Sequence, residues 1–379
     1  MRDPKCPYFN KCGGCATQHL EYELQLENKK KRAQQATGAG DVKVFSGEEW
    51  FYRNRMDMVF TAQGIGFREK GMWNKRVDVT ECVISNKRLN DLITEVRENF
   101  GGVDPFDPKT HGGTYRYAVI RTPQNDSSIS FVLNKDSARC GEAVEKIKDF
   151  SRKSAAKNIL VTYVAEKTDV STGTDFIVIK GSDMLEETLL GKKFRYSAQG
   201  FFQNNHEMAE KMHEYVNGIL EAGLANPAYG WPDARWAHLL DLYGGVGTFG
   251  IINSELFKTV KTVESFEGCV DAAKANIELN GVTNVEAILL DAMQLKKLQL
   301  PSPLFVVTDP PRSGMHQKTI EQFMVLKPHL IIYISCNVEQ LEKDMPKFLK
   351  HYKLKSTAIF DLFPQTNHME TVVELKFNS

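Results

Sequence analysis

The chain has 379 residues, 42% of them hydrophobic and 25% charged, with Lys and Arg equal in number to Asp and Glu. That length exceeds one ordinary domain, so two are expected, and the composition is that of a soluble globular protein. No apolar run reaches the roughly 18 residues of a membrane-spanning helix, and the opening MRDPKCPYFN lacks the apolar core of a signal peptide, so a cytoplasmic protein without membrane association is expected.

In chain order, three cysteines (Cys6, Cys12, Cys15) come first. A helix without Gly or Pro follows over 18–37 and stops at GAG. β-like runs come next, RMDMVF, GIGFRE and RVDVTECVI. The helix KRLNDLITEVRENF precedes YRYAVIRT, SISFVLN, ILVTYVAE and DFIVIKG, with another helix near 138–156. Strands with two helices among them predict an α+β lobe up to about residue 195. Residues 1–90 hold sixteen Lys and Arg against eleven Asp and Glu, with clusters KKKR at 29–32, YRNR at 52–55 and NKR at 74–76. Any one cluster reads as solvated surface, while a basic half beside a neutral one hints at nucleic acid.

From about residue 206 the pattern changes. Apolar strands HLLDLY, TVKTVES, VEAILLD, LFVVTD and HLIIYIS alternate with helical stretches. This predicts a parallel sheet covered on both faces. The segment 225–237, rich in Pro, Gly and Trp, reads as the connection into it, and the tail as an antiparallel hairpin at the sheet edge. The two domains are expected at 1–195 and 196–379, with the helix at 18–37 packing on the second.

LLDLYGGVGTFG is a strand, a glycine turn and a helix start, where a nucleotide fits the carboxyl end of the sheet. Glu264 ends the next strand, twenty residues after Gly244, and its carboxylate suits two ribose hydroxyls. Asp291 ends the strand after that, and Asp309 opens the turn DPPRSG. No P-loop lysine is present, leaving a dinucleotide or S-adenosylmethionine, and the Pro-Pro turn favours the second. Cys336, in SCNVEQ, ends the fifth strand beside a helix that Asn337 is suited to cap. The positive end of that helix favours thiolate. A thiolate added to carbon 6 of uracil makes carbon 5 nucleophilic toward a methyl sulfonium. A base must then take the carbon 5 proton, and Glu370 in NHMETVVEL is the candidate.

DLYGGVGTFG, DPPRSG, SCN and FPQTNHMETV, in this order, resemble the RNA uracil-5-methyltransferases, as do QGFFQNN at 199–205 and CPYFNKCGGC. The resemblance covers nearly the whole chain. It implies a Rossmann-like class I methyltransferase domain with a mostly parallel sheet and a smaller α+β lobe. It implies Cys336 as nucleophile and Glu370 as base. Gln203, Tyr243, Thr248, Glu264, Asp291 and Asp309 would surround S-adenosylmethionine, with Asp309 also placed to meet the target base. Two positions depart from the family: Gly244 stands where Cys is frequent, and Thr248 where Asn is frequent, which leaves one cofactor hydrogen bond open. Some members carry an extra N-terminal β-barrel that binds RNA. This sequence opens at the cysteine segment, so the basic lobe is expected to grip more of the RNA. YRNRMDMVF and GIGFREKGMWNKRVDVTEC look most like the archaeal branch. The expected partner is structured RNA, the tRNA T-loop uridine ahead of large-subunit rRNA. A monomer is expected.

Cys6-x5-Cys12-x2-Cys15 needs a fourth ligand, which the resemblance supplies as Cys82. Four thiolates suit a [4Fe–4S] cluster or a structural zinc, and spacing does not separate them. The resemblance favours iron–sulfur, in a structural role. Cys140 and Cys269 read as packing sulfurs. Two rival functions are a methyltransferase acting on an exocyclic amine through the Pro-Pro turn, and a non-catalytic RNA-binding iron–sulfur protein.

Overall fold

Two strand patterns in the sequence build two separate sheets. The computed structural model describes residues 1–225 and 236–378, so most of the connection expected at 225–237 lies outside the described residues. Among the described residues no helix is long and apolar enough to cross a membrane.

The first sheet has seven strands: β2 (Arg55–Phe60), β3 (Ile65–Glu69), β4 (Met72–Asp78), β5 (Tyr115–Arg121), β6 (Ser128–Asn134), β7 (Asn158–Val164) and β8 (Phe176–Lys180). Their order is β4-β3-β2-β5-β6-β7-β8. Neighbours run antiparallel except β6 and β7, which are joined by the helix α3 (Cys140–Ser151), as a parallel pair requires a crossover. The helix α2 (Lys87–Phe100) starts where Asn86 accepts the Leu89 amide, a side-chain N-cap. It packs Leu89, Ile93, Val96 and Phe100 onto Phe60 and Phe131 of the sheet.

A hairpin that the sequence reading did not single out, β9 (Met184–Leu189) with β10 (Lys192–Ser197), follows. Its Arg195 backbone exchanges two hydrogen bonds, 2.7 and 3.0 Å, with the buried side chain of Asn276.

The second sheet has the order β1-β16-β17-β15-β14-β11-β12-β13. Here β1 is Lys43–Phe45, β11 His238–Leu242, β12 Thr259–Glu264, β13 Val285–Leu289, β14 Leu304–Thr308, β15 Leu330–Ser335, β16 Tyr352–Phe360 and β17 Glu370–Phe377. Strands β11 to β15 are parallel, and every residue of β11, β14 and β15 is buried, as expected of strands covered on both faces. The covering helices are α4 (His206–Leu224), α5 (Thr248–Ile252), α6 (Glu267–Leu279), α7 (Gln317–Leu326) and α8 (Val338–Phe348). This is an α/β class I methyltransferase fold with a mostly parallel sheet. The terminal hairpin is not at the edge: β1 pairs parallel with β16 and takes that place.

The helix α1 (Tyr22–Thr37) has little apolar surface to bury. Its inner face is Gln25, Lys29, Ala33, Ala36 and Thr37, at the spacing of one helical stripe. Ala33 and Ala36 pack with Val338, Ile359 and Met369. Lys29 is buried and pairs with the buried Asp361 at 2.6 Å. Burial lowers its pKa, and attraction to Asp361 partly offsets this. Of KKKR only Lys29 lies inside the molecule; nearer the surface Lys30 meets Asp41, Lys31 meets Glu27, and Arg32 meets Glu339. Removing one partner of a buried pair leaves an uncompensated charge. Lys29→Met should destabilise the fold by about 3–5 kcal/mol in denaturant unfolding. The double variant Lys29→Met/Asp361→Leu should recover most of that loss.

Candidate active site

The site is built on the carboxyl ends of β11, β12, β14 and β15, where the strand order reverses beside β11, the position at which open α/β sheets bind ligands. β11 runs into a turn in which Tyr243, Gly245 and Gly247 take φ of 60, 53 and 88°. Gly244 is needed for closeness: a Cβ there would stand 2.3 Å from Thr262 Cγ2 and 2.9 Å from Asp241 Oδ2. Asp241 faces inward and accepts from the Gly250 amide at 2.9 Å and from Thr262 Oγ1 at 3.2 Å. Burial pushes its pKa up to about 7, and Glu264 adds to the shift. Asp241 therefore fixes the turn and does not serve as a ligand group.

Glu264, at the end of β12, accepts the amides of Ser265 at 2.6 Å, Phe266 at 2.9 Å and Gly245 at 3.2 Å. Its carboxylate is thereby aimed at the glycine turn. Asp309 follows β14, and burial, followed by Asp241, pushes its pKa up to about 7. The turn after it is closed by the Gly314 amide donating to Pro311 O at 2.7 Å, with Gly314 at φ 76°. Asn337 caps α8 through the Glu339 and Gln340 amides and donates to Arg312 O at 2.9 Å. The residue beside Cys336 thus ties the Pro-Pro turn to the cysteine's own helix.

Cys336 and Glu370 are brought to one end of the sheet by neighbouring strands. β15 and β17 are antiparallel, with Ser335, the last residue of β15, opposite Thr371. Cys336 follows β15 directly, Glu370 opens β17, and both line the same cleft. Glu370 is buried, and among the described residues one of its carboxylate oxygens has no hydrogen-bond partner. Burial raises its pKa well above the usual carboxylate range; Asp309 adds to the shift and Arg312 opposes it. The Cys336 thiol is pushed up to about 12 by burial, then by Glu370 and Asp309, against the pull of Arg312. The lowering expected from the helix end is outweighed.

One cleft of about 1130 Å³ joins these groups. Gln203, Tyr243, Thr248, Glu264, Asp309, Cys336 and Glu370 line it. Asp291 does not: its carboxylate accepts the Met293 amide at 2.7 Å and caps a short 3₁₀ turn. Cys269, expected as packing, lies on the cleft wall near Glu264. β2 of the first sheet contributes Arg55 and Asp57, and the segment just before it Arg53. Arg55 and Asp57 pair at 2.7 Å. Residue-type reasoning missed Phe201, Arg312 and His368, which also line the cleft. Phe202 stacks on Tyr196 at 4.3 Å, and Phe201 is left 66% exposed. Each lies inside a motif quoted from the sequence, so the signal was present without a role attached.

Cys6, Cys12, Cys15 and Cys82 line one small cavity of about 40 Å³. Burial pushes Cys12 to about 11 and Cys15 to about 12, and the neighbouring thiols add to both shifts. All seven cysteines are free. Among the described residues no three His, Cys, Asp or Glu side chains form a ready-made set of metal ligands. What the geometry offers is four thiols converging on an apolar hollow, a donor set suited to a soft metal centre. Gly14, Phe67 and Ile84 line both this hollow and the large cleft, so the two adjoin.

Residues 21–378 match the family model described as tRNA (Uracil-5-)-methyltransferase. The chain is 30% identical over 376 residues to the tRNA (uracil(54)-C(5))-methyltransferase of Pyrococcus abyssi, covering 98% of this chain and 85% of that protein. It is 31% identical over 374 residues to the enzyme of the same name from Pyrococcus horikoshii, covering 98% and 85%. The crystal structure of the P. abyssi enzyme in complex with S-adenosyl-L-homocysteine superposes with a TM-score of 0.78 at 28% identity, covering 96% of this chain and 86% of that one.

Arg312 favours the charged forms of both Cys336 and Glu370. Arg312→Gln should therefore raise the Cys336 pKa and slow its alkylation by iodoacetamide at fixed pH between 8 and 9 (roughly the range where thiolate fraction limits the rate). Glu370→Gln removes an opposing charge and should speed it. Peptide-resolved mass spectrometry over a pH series reads both, and unchanged rates in both variants would remove the electrostatic link.

Proposed function

The chain belongs to the tRNA (uracil-5-)-methyltransferase family, and on that premise we propose how its residues carry out methylation of carbon 5 of a uridine in RNA. The pairing of β15 with β17, which ends at Ser335 opposite Thr371 and so brings the adjoining Cys336 and Glu370 to one end of the sheet and one cleft, is the observation that supports the reading most. The Cys336 thiolate adds to carbon 6 of uracil, and carbon 5 becomes nucleophilic. S-adenosylmethionine, when bound, supplies the electrophilic methyl group. Glu370 then takes the proton from carbon 5, the carbon 5–carbon 6 double bond re-forms, and the sulfur leaves as thiolate.

The cofactor would be held at the glycine turn. Gly244 lets the turn pack closely on Thr262 and Asp241, Glu264 suits the ribose hydroxyls, and Gln203, Tyr243 and Thr248 line the same cleft. Asp309 faces both cofactor and base. Asp291 we place outside direct contact, since it is engaged in capping.

One negative charge at a time suits the pair. Thiolate and carboxylate disfavour each other, so attack by the thiolate calls for a protonated Glu370 beside it. Once sulfur is bound to carbon 6 it is neutral, and Glu370 ionises more easily, at the step that needs a base.

The substrate we propose is the T-loop uridine of tRNA, position 54 in the names of the Pyrococcus relatives. A base buried in a folded loop must be flipped out to reach Cys336. Exposed Phe201 offers a stacking surface, and Arg53, Arg312 and His368 a polar and cationic wall. In this reading residues 1–195 grip RNA and 196–379 carry the chemistry, in a cytoplasmic monomer.

The convergent thiols of Cys6, Cys12, Cys15 and Cys82 we assign to a [4Fe–4S] cluster, with zinc as the alternative. Its role is structural, because methyl transfer needs no electron.

With tritiated cofactor and unmodified tRNA, Cys336→Ala should abolish label transfer. Glu370→Gln should accumulate a covalent protein–RNA adduct on denaturing gels. Label transfer that persists in Cys336→Ala would remove the covalent mechanism. Protein purified without oxygen should be brown and carry iron and sulfide lost together in Cys12→Ser. A colourless protein holding one zinc would overturn the iron–sulfur assignment.

A further inference from the structure

The loop 361–369 between β16 and β17 leads directly into Glu370 and brings Thr366 and His368 to the cleft. Much of what holds it comes from the first 53 residues of the chain. Lys29 pairs with Asp361 and donates to Phe363 O at 3.2 Å. Tyr52 Oη donates to Pro364 O at 2.9 Å, and Arg32 to Asn367 O at 2.8 Å. Most of the remaining bonds meet at one residue, Gln365.

Gln365 is fully buried, with φ 69°, a conformation a non-glycine residue keeps only when its surroundings impose it. Its carbonyl accepts the amides of Ala16 at 2.9 Å and Thr17 at 3.1 Å. Its amide nitrogen donates to Gln25 Oε1 at 3.1 Å. Its side-chain oxygen accepts from Gln25 Nε2 at 3.0 Å and from Arg2 at 3.1 Å. Its Nε2 donates to Glu49 Oε2 at 2.9 Å, and Arg2 closes the ring on Glu49 at 2.6 Å. Ala16 adjoins Cys15, and Gln18 Oε1 accepts the Cys6 amide at 3.0 Å. The cysteine-bearing segment is thus hydrogen-bonded to the loop five residues before Glu370. Cys336 follows β15 directly and is not a hydrogen-bond partner of Gln365; the Asn337–Arg312 bond holds the helix start beside it.

We propose that Gln365 is a positioning residue that couples the fold of the Cys6–Cys15 segment to the placement of the Glu370 loop, so that the junction governs proton removal from carbon 5 and not the addition of Cys336. The inference rests on Glu370 being the base.

The test compares wild type, Gln365→Met, Gln365→Glu and the exchange Gln365→Glu/Glu49→Gln. Gln365→Met should bind S-adenosylmethionine and form the RNA adduct as wild type does, yet release product about tenfold or more slowly, the size of loss expected from a small misplacement of a catalytic group. Gln365→Glu faces Glu49 with a second carboxylate and should behave likewise. The exchange restores one amide against one carboxylate and should return release to near the wild-type rate. Release at the wild-type rate in Gln365→Met, equal loss of adduct formation and release, or no rescue by the exchange would each overturn the positioning role. If Gln365→Met does not fold, the exchange decides alone. Should Glu370→Gln accumulate no adduct, the base assignment fails by itself, and amide hydrogen exchange then judges the junction. Cys12→Ser should speed exchange at 361–369 while leaving β11 to β15 unchanged; equal protection of the loop would overturn the coupling.

Discussion

The chemistry proposed for this molecule hangs on the pairing register of two strands. β15 runs into the cysteine and β17 opens on the glutamate, and their antiparallel pairing, with Ser335 opposite Thr371, brings both to one end of the sheet. A slip of one residue would turn every side chain of β17 to the other face, and Glu370 with them. The slip is blocked on both sides. Ile332 and Ile334 of β15 and Val372 of β17 belong to one core, while Ile331, Tyr333, Val373 and Leu375 belong to the core on the opposite face. A one-residue slip would set Glu374 where Val373 or Leu375 now packs, a carboxylate in an apolar core. Folding stability and catalytic geometry are therefore the same constraint at this point.

The five alternating strands and helices, the glycine turn, the Pro-Pro turn and the late cysteine were legible in the sequence because each has a local cause. An apolar run, a positive φ or an N-cap is decided within a few residues. What could not be read was set by distant partners. β1 is three residues long and exists by pairing with β16, more than 300 positions later. β9 alternates buried and half-buried residues, but its glutamates disguised the pattern, and one of them, Glu187, is buried beside His206 at 3.5 Å. KKKR looked like a solvated face or a hint of nucleic acid, yet its first lysine lies in the interior. Asp291 sits at a strand end like Glu264, but the chain turns differently after it, and its carboxylate caps the turn instead of lining the cleft.

The cavity with four cysteines and the reaction cleft share Gly14, Phe67 and Ile84 as a common wall. Cys12 bridges to Glu69 of β3, and the Gly13 amide donates to Arg68 O at 3.0 Å. The cysteine segment is therefore stitched to the first sheet on one side and to the Glu370 loop on the other. A soft-metal centre in that hollow would fix a part of the chain that has few apolar side chains of its own. Such a centre would have a mechanical use in an enzyme whose proposed reaction transfers no electron.

The interface between the N-terminal segment and the 361–369 loop is largely polar, beside an apolar contact of Ala33 and Ala36 with Val338, Ile359 and Met369, and polarity suits the placement proposed for it. An apolar contact tolerates sliding, since burial is roughly proportional to area and has no direction. Hydrogen bonds and a buried ion pair have direction and length, and leaving one unmade inside the protein costs the full desolvation of that group. Gln25, Lys29, Glu49 and Arg2 fix the 361–369 loop with contacts of 2.6 to 3.1 Å. A loop held this way has one position, not a range. In the proposed mechanism the base it leads to must reach a single proton on a single carbon after the methyl group has arrived. A helix that buries a glutamine and a lysine beside its alanines is a poor choice for stability alone and a sound one for holding such a base in place.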